Sequence, residues 1–246
     1  MKLHIDNSSY IDTSEPLDIS IPLINSDDNP RAWYVAPPKF TPVRTANYVG
    51  SVQEGGSVNF RDISFNPHGH GTHTECLGHI TAQVHSINKV LTTYFFKAQV
   101  LSIQPVLMEN GDSVILPNQL DNISTEVEAL IIRTLPNSDD KQNKNYSETN
   151  PAFIDVKCVA RLLKLGINHL LIDLPSVDRE SDNGELAFHH AFWEVPEKPN
   201  FKRTITELIF VNDTITDGEY ILNIQTAPFE NDATPSRPTL YKIKKS

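Results

Sequence analysis

The feature that most constrains this 246-residue chain is its punctuation, because its apolar runs are short and turn residues bound most of them. Prolines (17) outnumber glycines (10), and most prolines fall between those runs. Leu17–Leu23 (LDISIPL), Ala98–Val106 (AQVLSIQPV), His169–Leu174 (HLLIDL), Thr206–Val211 (TELIFV), Tyr220–Ile224 (YILNI) and Thr239–Ile243 (TLYKI) are β-branched or alternating, as strands are. These six runs are read as strands, and helix candidates are fewer.

Three segments are read as those helices. Glu75–Leu91 keeps apolar residues near a 3.6 spacing. Ser124–Leu135 carries Thr125 three residues before Glu128, the spacing of a capping box. Asp155–Leu165 is amphipathic, with Val156, Val159, Leu162 and Leu163 on one side and Gly166 as its stop. Between the second and third lies a polar, aperiodic stretch, residues 136–151, expected to be a loop insertion in a single domain spanning 1–246.

Charge excludes some functions. The net charge is −10 with no basic cluster, which argues against nucleic acid or an anionic membrane surface as partner. No apolar run reaches membrane-spanning length. Met1–Leu17 lacks the apolar core of a signal peptide, and the two cysteines, Cys76 and Cys158, cannot form a disulfide framework, so a cytoplasmic location is expected.

The chemistry is concentrated in His68–His79, HGHGTHTECLGH. GHGTH is shared by subtilisin-like serine proteases, but that mechanism needs a serine nucleophile and an orienting aspartate. Ser176 and Ser236 lack the glycine-rich setting, and Asp12-Thr13-Ser14 lacks the glycine of the aspartate signature. A metal site fits better. His73 and Glu75, two apart, share one face of an extended segment; Glu75 and His79, four apart, share one face of a helix. A strand turning into a helix at Glu75 would aim all three at one place, with Glu75 placed to bridge two ions.

In this setting GTH-x-E-x-x-x-H resembles the His-x-Gly-Thr-His-x-Asp-x-Pro-x-His signature of the cyclase-like metal-dependent hydrolases, the family of bacterial kynurenine formamidase and isatin hydrolase. LDISIPL is similar to that family's opening strand, and LLKLGINHLLIDLPSVD to its helix–Gly–strand unit ending in Asp-x-x-Ser-x-Asp. FHHAF and ITELI resemble its histidine segment and its Ile-x-Glu-Asn-Leu strand, and TPSRPTLYKI its closing strand. These matches fall in order over about residues 17–243.

The resemblance implies a mixed α/β fold, a sandwich- or barrel-type β core flanked by a few helices, and a homodimer or higher assembly. It implies a first metal site from His68 or His70 with His73 and Glu75, and a second from Glu75, His189 and Glu207. His79 beside them would ligate or carry protons, with Glu207 as the less favoured proton carrier. One or two divalent ions, zinc or manganese, are expected. The implied reaction is hydrolysis of a C–N bond in a small aromatic amide, of kynurenine formamidase type. A cyclic amide of isatin type, or metal binding without catalysis, are the alternatives. Trp33, Tyr34, Phe188 and Trp193 are candidates for an aromatic wall.

Three departures stand out. Gly69 occupies the family's first histidine position, so His68 needs a one-residue bulge, while His70 falls on the opposite strand face from His73. Glu75 replaces an aspartate. Leu77 replaces a proline, and EVPEKPNFKR is inserted after the histidine segment.

Overall fold

The computed structural model describes residues 1–246. Eight strands form the main sheet: β1 (Leu17–Asp18), β2 (His73–Glu75), β3 (Phe95–Ile103), β4 (Ala129–Thr134), β5 (His169–Ile172), β6 (Thr204–Glu207), β7 (Gly218–Thr226) and β8 (Ala233–Lys242). Their order is β7-β3-β4-β5-β6-β2-β8-β1, and β7 also pairs with β8, which closes seven strands into a barrel. β3, β4, β5 and β6 run parallel, while β2, β7 and β8 close the ring through antiparallel pairings. β1 adds outside the ring, against β8. The expected β-rich α/β fold is therefore of the barrel type.

Every residue of β4, β5 and β6 is buried, as parallel strands covered on both faces must be. One cluster of 38 buried apolar side chains fills the molecule, against a satellite of three, so there is a single main core. Three α-helices flank the barrel: α1 (Ile87–Val90), α2 (Cys158–Leu165) and α3 (Ala187–Trp193). α2 buries Cys158, Val159 and Leu162 and ends at Gly166 in the left-handed region (φ 78°). No helix is long and apolar enough to cross a membrane.

Two of the expected helices are not formed as read. Ser124–Leu135 contains β4: the consecutive Ile131 and Ile132 sit on opposite faces of a strand that is buried on both, which outweighs the local Thr125/Glu128 signal. Glu75–Leu91 breaks into the end of β2, a 3-10 turn at Leu77–Ile80 and the single turn of α1. Its apolar spacing reflects separate contacts with the core rather than one helix face.

The polar stretch 136–151 is held to the barrel by one buried ion pair. Lys141 Nζ donates to Asp173 Oδ2 (2.8 Å) and to Thr134 O (2.6 Å), and Asp173 also accepts from the Thr134 amide (2.9 Å). Farther along, the Tyr34 amide donates to Ser147 Oγ (2.9 Å), and the Glu148 and Asn150 amides donate to Glu180. The insertion thus braces the segments that carry Trp33 and Glu180.

Candidate metal centre

β2 and β6 pair antiparallel with Glu207 opposite His73 and Ile205 opposite Glu75. That register brings a histidine and two carboxylates to one end of the barrel. His73, Glu75 and Glu207 are buried, with His73 Nε2 3.5 Å from Glu207 Oε2. α3 supplies His189, whose Nε2 lies 3.1 Å from Glu75 Oε1 and 4.0 Å from Glu207 Oε1. The turn before Gly69 supplies His68, with Nδ1 3.0 Å from Glu75 Oε2. The 3-10 turn supplies His79, with Nδ1 4.0 Å from the same oxygen.

Glu75 is the shared member of two donor groups, His68–Glu75–His79 and His73–Glu75–Glu207. The grouping differs from the one the resemblance implies. His68 and His73 fall in different donor groups, and His189 touches Glu75 from α3. His70 faces away: Nδ1 accepts from the Asn66 amide (2.7 Å) and Nε2 donates to Ala36 O (2.7 Å). Gly69 explains the displaced histidine, because a Cβ there would lie 2.9 Å from Val35 Cγ2. The chain turns at this point, and His68 enters in its place.

Each of three imidazoles has its outer nitrogen anchored. His73 Nδ1 donates to Gly71 O (2.9 Å), His189 Nδ1 to Asp178 Oδ2 (2.6 Å), and His68 Nε2 to Asp232 Oδ2 (2.8 Å). Metal-ligating histidines are oriented in this way, with one nitrogen fixed by an acceptor and the other aimed at the ion. His73 Nε2 is buried without a hydrogen-bond partner, an expense that folded chains rarely leave uncompensated, and the buried Glu75 Oε2 has only the poorly aligned His68 Nδ1 near it, at 3.0 Å. Donors of this kind, imidazole and carboxylate, suit zinc or manganese.

The electrostatics agree. Burial pushes the imidazoles of His68 and His189 down, but carboxylates overcome it and hold both near 10: Asp232 and Glu75 for His68, Asp178 and Glu75 for His189. Burial likewise opposes the charge on Glu75, and the surrounding histidines, His79 first, hold its carboxyl well below the usual range. Protons and a divalent cation compete for the same lone pairs in such a cluster.

A cavity of about 320 Å³ opens onto this cluster, lined by Trp33, Val35, His68, His79, His189 and Glu207 among others. Of the candidate aromatic wall only Trp33 lines it. Phe188 and Trp193 are fully buried core, and Tyr34 points to solvent at 69% exposure. The inserted segment after α3 packs back on that helix, with Trp193 Nε1 donating to Arg203 O (3.0 Å). His190 bonds Val195 O, and His85 meets Phe201 edge-to-face, so neither faces the cluster.

Asp178 and Asp232 are the residues that sequence reasoning left outside the site. Asp178 caps α3 by accepting from the Phe188 and His189 amides, and it also holds the His189 ring. Asp232, more than 150 residues from the histidine motif, has no spacing signal; only its place before the closing strand would have pointed to it.

Residues 11–179 match the Cyclase family model, described as "Putative cyclase". No curated protein matches. Among solved structures, isatin hydrolase A from Ralstonia solanacearum superposes with a TM-score of 0.67 at 14% identity, covering 92% of this chain and 91% of that one. An isatin hydrolase bound to the product analogue thioisatinate gives 0.65 at 15% identity, over 94% and 93%. A "predicted metal-dependent hydrolase" from Bacillus stearothermophilus gives 0.62 at 15%, over 92% and 98%.

Proposed function

The chain belongs to the Cyclase family, and from that membership and the Glu75-centred cluster we propose that it is a metal-dependent hydrolase cleaving the C–N bond of a small aromatic amide. The observation that carries this reading is the buried, unpartnered His73 Nε2, set beside the buried carboxylates of Glu75 and Glu207 among imidazoles whose outer nitrogens are already anchored. His68, His73, Glu75, His189 and Glu207 would hold one or two divalent ions. A zinc or manganese ion, when bound, supplies Lewis acidity toward a carbonyl oxygen and toward water.

The remaining steps belong to the chain's own groups. His79 lines the cavity, its side chain is 31% exposed, and its ring makes no hydrogen bond, so it is free to carry a proton to a leaving nitrogen. Glu207 is less suited to that task, since its Oε1 accepts from the Val177 amide (3.1 Å) and its Oε2 faces His73. Trp33 offers an aryl group a flat apolar wall.

A cyclic amide is the second reading, favoured by the likeness to two structures named isatin hydrolase. Opening such a ring breaks the same kind of bond. The test is hydrolysis of N-formylkynurenine and of isatin by metal-stripped protein, before and after addition of zinc or manganese. Turnover restored by metal and lost in Glu75→Ala supports the proposal, and the better substrate selects between the two readings. Failure of both substrates with both ions refutes it.

A further inference from the structure

We infer that Asp232 is the positioning residue of His68: it takes the outer N–H of that imidazole and so turns the other ring nitrogen toward Glu75. The inference rests on the metal-dependent reading above and assigns a role that the histidine motif does not contain.

The three anchored imidazoles differ in what holds them. His73 stands on β2 and uses a main-chain carbonyl two residues away. His189 stands on α3 and uses Asp178, itself fixed by two amides of that helix. His68 stands on neither a strand nor a helix; it sits in the turn that precedes Gly69, with its side chain 20% exposed. A ring in a turn can rotate and exchange its two nitrogens unless something outside the turn fixes it.

Asp232 is placed to do that. It occupies the step into β8, where its carbonyl accepts from the Cys76 amide (3.0 Å) and the next residue, Ala233, pairs with Glu75 in register. The backbone that carries the Asp232 carboxylate is therefore fixed relative to Glu75 by the β2–β8 ladder. Its Oδ2 lies 2.8 Å from His68 Nε2, while His68 Nδ1 lies 3.0 Å from Glu75 Oε2. Asp232 also lies 3.5 Å from His79 Nδ1, too far for a hydrogen bond of ordinary length. The arrangement accounts for how a histidine displaced by Gly69 reaches the cluster in a defined orientation.

Zinc affinity measured by competition with a chromophoric chelator tests this without any substrate. Asp232→Ala is expected to weaken zinc binding about 10- to 100-fold, the usual loss for an outer partner of a ligand. Asp232→Asn, whose amide oxygen still accepts from Nε2–H, is expected to lose less. In a His68→Ala background neither substitution should weaken binding further, because the effect runs through that ring. Unchanged affinity in Asp232→Ala overturns the inference, as does an undiminished loss in the His68→Ala background, which would move the role to His79 or another group. Should Asp232→Ala not fold, the same cycle with the near-isosteric Asp232→Asn decides. Failure of the unaltered protein to bind zinc overturns the metal-dependent reading itself and this assignment with it, a result distinct from the other two.

Discussion

Replacing Lys141 with methionine tests whether the inserted segment is a fixed brace of the chain beside the cavity or a loosely attached loop. Lys141 is 13% exposed and Asp173 is fully buried, and their 2.8 Å contact is the one charge pairing that reaches this carboxylate. Removing one partner of a buried pair leaves an uncompensated charge and costs about 3–5 kcal/mol, against about 1 kcal/mol or less for a surface pair. In a chain of this length that loss lowers the melting temperature by about 6–20 °C.

The pH dependence identifies the cause. Burial already raises the Asp173 carboxyl, with Lys141 opposing it. A carboxyl with a raised native pKa holds its proton more tightly folded than unfolded, so it favours the native state in acid, and that advantage is lost as pH rises through the raised value. Without Lys141 the rise is larger. The deficit of Lys141→Met should therefore be largest at alkaline pH and shrink as the pH falls, as protonation relieves the buried charge. Thermal melts of both proteins over a pH series provide the measurement. A loss below about 1 kcal/mol, or one independent of pH, would refute the reasoning.

Other consequences follow from the same geometry. Trp33→Ala should raise KM for aryl substrates about 2- to 10-fold with kcat little changed, from the loss of about 0.5–1.5 kcal/mol of ring contact; steady-state kinetics on the metal-loaded protein checks it. Gly69→Ala should destabilise by about 1–3 kcal/mol through overpacking against Val35, seen as a lower melting temperature. His68 and His189, raised to about 10, favour the metal-free fold below their ordinary value of 6.5 and cease to do so as pH rises through about 10. Chelator-treated protein should accordingly lose thermal stability over that interval, and zinc-loaded protein should show a flatter profile because the ligating imidazoles are already neutral.

How much of this was legible in the sequence varies with the range of the determining interactions. α2 could be read from its apolar stripe and Gly166, local signals that the core reinforces, although it begins at Cys158 rather than Asp155 and leaves Val156 outside it and exposed. β4 could not, since the capping-box spacing at Thr125 is also local, and what overrides it is pairing with β3 and β5, whose residues lie some 30–40 positions away. The His73/Glu75 alternation and the later Glu207 were visible as motifs. Their meeting depends on the β2–β6 register, which no spacing encodes. Asp232 was invisible for the same reason, its link to His68 being made by the closing strand of the barrel.

The central claim is that Glu75 is the shared donor of a divalent-cation site, and calorimetric titration of chelator-treated protein with zinc tests it most directly. The account predicts saturable binding of one or two ions per chain with release of protons, abolished in Glu75→Ala. Absence of binding, or binding of equal strength and stoichiometry in Glu75→Ala, would contradict it.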